Sequence, residues 1–228
     1  MAQAKTWVAF DVHVSGVVAA VLAFGSVALS FLLGAAFAAC AVAYVALNLF
    51  YSFRLKEVVI VDVLCVSLGF VLRAVAGGLA VGVAISDWLV ICTILLALFL
   101  TLAKRRHELT SLNEDASGHR KILAEYSPYL LDQMINVVTS SCLAAYAFYT
   151  TAAETREKFQ TDRLSLTIPF VLYGIFRYLY LVHQKEKGGS PTDVLLTDRP
   201  LLAAVAFWAV AVVIIIYTAG GAPGPLGR

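Results

Sequence analysis

Asp62 and Arg73 lie about three helical turns apart inside an otherwise apolar stretch, roughly residues 58–81. An ionisable group within a membrane-spanning helix costs on the order of 2.5–3.5 kcal/mol on insertion scales, so its default meaning is a functional site. Cys65, Gly69 and Gly77 fall on the same helix face. That small, polar stripe lets a neighbouring helix or a ligand come close. The two charges are too far apart to pair within one helix, so each needs a partner on another helix or on a bound anion. Polar glue between helices is the structural alternative, and residue type alone does not separate the two.

A second constellation follows the next apolar run. Glu108 comes four residues after Lys104 and three after Arg105, on one helical face, with Arg106 and His107 between. Bases alone here would be an ordinary stop signal. An acid among three bases at a helix mouth suits a metal ion held beside phosphate-binding cations. Near the carboxyl terminus, Gly188 and Gly189 precede Asp193, Asp198 and Arg199. Asp198 and Pro200 read as the cap and first turn of a helix, which leaves Asp193 less well explained. Arg177, with Tyr178 and Tyr180, sits where snorkelling to lipid headgroups accounts for it. His13, His107, His119 and His183 show no metal-ligand spacing, and no GxSxG, P-loop or HExxH element is present. Hydrolase and NTPase chemistry therefore has no support.

The elements that must position these groups are membrane helices. The chain has 228 residues, 61% hydrophobic and 14% charged, against about 25% charged in a typical soluble domain. Cys40, Cys65, Cys92 and Cys142 all lie in apolar stretches without CxxC spacing, so neither zinc nor a disulfide framework is expected. No cleavable signal peptide is evident. At roughly 20 residues per crossing, about seven spans are expected, near residues 12–31, 34–53, 58–81, 88–103, 132–151, 164–182 and 201–218. The break at Leu33 and Gly34 is the least marked. Arg54 and Lys56, then Lys104 to Lys121, then Lys185 to Arg199 fall on one side, which the positive-inside rule makes cytoplasmic. The amino terminus would then lie outside. The connection from Lys104 to Leu131 is the longest and is expected to be functional, with a short polar helix carrying Arg120, Lys121 and Glu125. One transmembrane domain, 1–219, with a disordered Gly/Pro-rich tail, 220–228, completes the expected organisation.

Together the stretches Tyr51–Lys56, Asp62–Val63, Phe70–Gly78 and Lys104–Leu109 resemble the UbiA superfamily of intramembrane prenyltransferases, in particular its decaprenyl-phosphate phosphoribosyltransferase branch. Tyr126 with Tyr129 and Leu130, Ile168–Phe170 with Arg177 and Tyr178, and Pro191–Arg199 add to the likeness, which covers roughly residues 16–217. The resemblance implies an all-α bundle similar to spans three to nine of a nine-span fold. The family's first acidic motif, of NDxxDxxxD type, has no counterpart, and Asp11 is the only acid before Glu57. The chain is therefore expected to start late relative to the family, which would also return the amino terminus to the cytoplasm.

The chemistry implied is transfer of 5-phosphoribose from phosphoribosyl pyrophosphate to a polyprenyl phosphate, for arabinan precursors of a cell wall, with Mg²⁺ as cofactor. The resemblance implies Asp62, Glu108 and Lys104 as catalytic groups, and Asp62 and Glu108 as orienting the bases or holding the metal. Tyr51, Lys56, Arg73, Arg105, Tyr126, Arg177, Asp193, Asp198 and Arg199 would contact substrate. The partners implied are those two substrates and the bilayer of a plasma or inner membrane, with the active face cytoplasmic. No nucleic acid is expected, and a homo-oligomer is allowed. Three alternatives stay open: prenyl transfer to an aromatic or other small acceptor, a silent homologue that binds polyprenyl phosphate, and, least supported, an anion transporter.

Overall fold

The computed structural model describes residues 18, 21–83, 85–111, 121–185 and 189–220. Among them the secondary structure is entirely helical. An apolar helix α1 (Val21–Leu33) tightens into a 3₁₀ turn over its last residues and stops at Gly34, whose φ of +115° suits a residue without a side chain. Then come α2 (Ala35–Phe53), α3 (Val61–Ala80), α4 (Asp87–Ser111), α5 (Pro128–Thr151), the short α6 (Ala153–Phe159), α7 (Ile168–Gln184), α8 (Pro191–Thr197) and α9 (Arg199–Gly220). Successive long helices pack as neighbours: α2 on α3, α3 on α4, α4 on α5, and α7 against both α5 and α9. The chain is a polytopic helical membrane protein.

Among the described residues five stretches are long and apolar enough to cross a bilayer: α2, α3, α4 to Thr110, the run Arg163–Gln184 that includes α7, and α9. This is fewer than the seven expected, for two reasons. Helix α5 has the length, at 24 residues, but carries Asp132, Gln133, Asn136 and a Thr/Ser run that lower its apolarity. Much of the expected first span, before residue 21, lies outside the described residues. So do residues 112–120 of the long connection, and the tail beyond Gly220.

Local chemistry sets the helix starts. Ser127 accepts from the Leu130 N–H at 3.1 Å ahead of Pro128. Asp198 accepts from the Leu201 N–H at 2.9 Å, so it is the cap its sequence position suggests. The α3–α4 hairpin closes at Gly78, where a Cβ would sit 2.5 Å from the Ile85 side chain, so a larger residue would have to displace that side chain.

The continuous core gathers at the basic end. Val63 of α3, Phe99, Leu102 and Ala103 of α4, Leu131 and Ile135 of α5, and Leu181 and Val182 of α7 pack with Val194 and Leu201. Phe99 meets Tyr178 edge-on, ring centres 5.1 Å apart. Towards the opposite end, hydrogen bonds join the helices: Trp208 Nε1 donates to Tyr146 Oη at 2.7 Å, and Tyr146 and Thr167 share a bond of 2.6 Å. Leu131 is fully buried, at 0% exposure. Leu131→Ala should cost about 2–5 kcal/mol, measured as a lowered midpoint of detergent-driven unfolding.

Candidate functional site at the basic end of the bundle

The α3 helix begins with an acid that no water reaches. Asp62 is 0% exposed, and a buried charge must be paired. Its Oδ2 accepts from Arg105 Nε at 3.0 Å, and its Oδ1 accepts from the Tyr126 hydroxyl at 2.9 Å. Arg105 is also buried. Its Nη1 donates to Glu108 Oε2 at 2.7 Å, and its Nη2 reaches the Tyr51 hydroxyl at 3.4 Å. Three elements therefore meet on one guanidinium, α2 through Tyr51, α3 through Asp62 and α4 itself, and the Lys121–Glu125 turn joins them through the adjoining Tyr126, which bonds Asp62.

The helical continuation of α4 through the basic run makes this possible. Arg105 and Glu108 lie one turn apart on the same face, as their spacing predicts. Tyr126 has a second task. Its oxygen accepts the Ile60 N–H at 2.7 Å. Ile60 has φ of +70°, a strained setting for a β-branched residue. The phenol thus fixes the kink from which α3 starts. Burial pushes the Tyr126 phenol up to about 12; the Ile60 N–H opposes this, while Asp62 adds to it.

Other predicted residues fall into two groups. Arg177 forms a two-pronged ion pair with Asp198, at 3.0 and 2.8 Å, and lies over the Tyr180 ring. An internal acid therefore shares in holding it, beside any headgroup contact. Lys56, Lys104, Asp193 and Arg199 are exposed, and none of them has an ion-pair partner among the described residues. Arg73 is exposed too, its guanidinium 4.4 Å from the Phe70 ring centre and 5.5 Å from that of Tyr44. It does not join the Asp62 cluster.

The expected metal pair does not fit the donors present. Both oxygens of Asp62 are taken by Arg105 and Tyr126, and the Arg105 guanidinium bridges Asp62 and Glu108. No group of three or more metal-ligating side chains occurs among the described residues. Asp62 and Glu108 here hold a cation that the protein supplies itself.

Two features escaped the sequence. Asp132 of α5 accepts from Arg106 Nε and meets His183 Nε2 at 3.2 Å, tying α4, α5 and α7 together. In the sequence Asp132 only marks the start of a span, and nothing in its spacing points to Arg106 or His183. Tyr44 and Asn48 line a groove with Tyr51. Their i, i+4, i+7 spacing on α2 was the available signal.

The sequence model of the UbiA prenyltransferase family matches residues 11–192. The chain is 31% identical over 196 residues to a decaprenyl-phosphate phosphoribosyltransferase of Corynebacterium glutamicum, a match covering 84% of this chain and 58% of that protein. To proteins of the same description it is 27% identical over 209 residues in Mycolicibacterium smegmatis, and 30% identical over 203 residues in Mycobacterium tuberculosis. Each of those matches covers 89% of this chain, and they cover 63% and 64% of the relatives. The chain thus spans less than two thirds of the length of the curated relatives it matches.

Tyr126→Phe should cost about 1–3 kcal/mol, because the Ile60 N–H and an Asp62 oxygen lose their partner together. The phenol's folded value is raised above the ordinary 10. Its contribution is therefore complete below about pH 10 and lost as pH climbs through 12. Unfolding midpoints across pH 8–12 should fall at the alkaline end in the parent protein, and less steeply in Tyr126→Phe.

Proposed function

This chain belongs to the UbiA prenyltransferase family, and on that premise we propose that it serves transfer of 5-phosphoribose from phosphoribosyl pyrophosphate to a polyprenyl phosphate. An oxygen of the lipid phosphate bonds to the anomeric carbon of ribose while the bond from that carbon to pyrophosphate breaks. The protein's task is to hold two anions together and to balance charge on the leaving pyrophosphate, for which positioned cations suffice in principle.

The observation that carries this proposal is the division of the basic residues. Arg105, Arg106 and Arg177 are each paired with an internal acid. Lys56, Lys104 and Arg199 are exposed and belong to the same basic end of the bundle. The first set positions, and the second set is available to phosphate. Under this proposal Arg105, Tyr126, Arg177 and Asp198 are positioning residues rather than substrate contacts. Asp193 lies in the first turn of α8 on the same side. Glu108 is partly exposed; only its Oε2 is committed to Arg105, leaving the other oxygen for substrate. The active face is cytoplasmic, by the basic bias of the loops.

A second reading has one observation in its favour. With Asp62 and Glu108 bridged by Arg105, the described residues offer no acidic cluster for a pyrophosphate-bound metal. A homologue that binds polyprenyl phosphate without turning it over would look like this.

Labelled phosphoribosyl pyrophosphate with decaprenyl phosphate, set against a prenyl diphosphate with 4-hydroxybenzoate, separates the possibilities in proteoliposomes. Label passing to the lipid fraction from the first pair is expected. Prenylated benzoate would indicate the aromatic-acceptor branch instead, and no product from either pair would indicate the silent binder. Glu108→Gln should lower phosphoribosyl transfer about 10- to 100-fold with the protein still in the membrane. Lys104→Met should raise KM for the pyrophosphate substrate more than it lowers kcat. EDTA in the same assay tests the Mg²⁺ requirement that the family likeness implies.

A further inference from the structure

A second polar group stands at the basic end and shares no member with the Asp62 cluster: Arg106 of α4, Asp132 of α5 and His183, the last residue but one of α7. The surroundings of the histidine ring are unusual. His183 Nδ1 lies 2.9 Å from the Leu179 carbonyl oxygen, one turn back on α7, and Nε2 lies 3.2 Å from Asp132 Oδ1. A carbonyl oxygen and an ionised carboxylate can only accept hydrogen bonds. A neutral imidazole has one N–H and one lone pair, so either tautomer sets a lone pair against one of these oxygens. Only the imidazolium, with a hydrogen on each nitrogen, satisfies both. The ring's setting is therefore built for a proton.

Histidine is the side chain whose charge ordinarily changes between about pH 5 and 8, and His183 is half-buried, within reach of solvent. Arg106 donates through Nε to the same Asp132 oxygen, and arginine keeps its charge throughout that range. The link from α4 to α5 therefore does not depend on the His183 proton, whereas the link from α5 to α7 does. The other charged and titratable groups near these elements have different settings. Asp198 at the head of α9 is paired with Arg177, which lies over Tyr180. His107, next to Arg106, lies against Gly189. Lys185 on α7 and Tyr129 on α5 are exposed, and Arg163 belongs to the turn packed on the far end of α7. Among the described residues Asp132 is the acid that forms an ion pair with His183.

We propose that the Asp132–His183 contact is a proton-dependent brace: the imidazolium ties the basic end of α7 to α5 and, through Asp132 and Arg106, to α4, and loss of one proton releases α7 alone. The brace is complete on the acid side and is lost as pH rises. Once released, α7 keeps the apolar packing of Leu181 and Val182 and its Arg177–Asp198 pair, but gives up its polar hold on α5. The brace acts whatever reaction the protein carries out, so failure of the transferase assay would leave it standing.

The test is amide hydrogen exchange of the full chain in nanodiscs between about pH 5.5 and 8.5, with rates corrected for the intrinsic effect of pH. Exchange in the last turn of α7, residues 181–185, should speed up roughly threefold or more across that range, while the start of α5, residues 131–135, changes less. His183→Gln should exchange at the fast level throughout, with no such pH dependence. In chain carrying ¹⁵N-labelled histidine, the ring signals lost in His183→Gln should show both nitrogens protonated at the acid end and one at the alkaline end. A flat profile for residues 181–185 in the parent chain overturns the brace, as does an equally steep profile in His183→Gln, or a singly protonated His183 at the acid end. The parent profile needs no substitution, so it decides the matter even if His183→Gln fails to fold.

Discussion

A carboxylate with no access to solvent dictates the architecture of the basic end. Asp62 is held against Arg105 at 3.0 Å, and breaking a buried pair of this kind costs about 3–5 kcal/mol because the remaining charge is left alone. The α3 and α4 helices must therefore meet in one register. Arg105 has donors to spare, so Glu108 and Tyr51 attach to it, and Tyr126 completes the shell of Asp62. The core packs directly beneath, at Val63, Leu102 and Ala103. Polar pairing specifies the arrangement, and apolar packing makes it dense.

One consequence is a division of labour among groups that look alike in sequence. Arg73 and Arg177 lie in apolar runs and Arg105 at the end of one, and residue type alone does not tell them apart. Arg105 is paired twice with acids, Arg177 is paired once with an acid that also caps α9, and Arg73 lies only on aromatic rings. Spacing along one helix cannot distinguish these situations, because the deciding partner is on another element.

That limit explains what could be read in advance. The helical class, the approximate edges of α2, α3, α7 and α9, the cap at Asp198 and the Arg105–Glu108 pairing all follow from local rules: hydropathy over about 20 residues, side-chain capping, and one-turn spacing. The Asp62–Arg105 and Arg106–Asp132 pairs connect residues 43 and 26 positions apart. One acid among three bases suits a metal beside phosphate, and the family resemblance adds Asp62 to it. A guanidinium satisfies the same charge requirement, and only the folded geometry distinguishes the two. The kink at Ile60 was equally hidden, since isoleucine is among the last residues expected at positive φ.

The α2 helix is thinly anchored. Of its described residues only Ala38 is buried, and its main neighbour is α3. A wall held on one side by so little packing is compliant, whereas the opposite wall is locked to α4 by ion pairing. Lateral pressure and acyl-chain length in the surrounding bilayer therefore act on α2 before they act on the α3–α4 pair, making the width of the cleft beside it a property of the lipid environment as much as of the polypeptide.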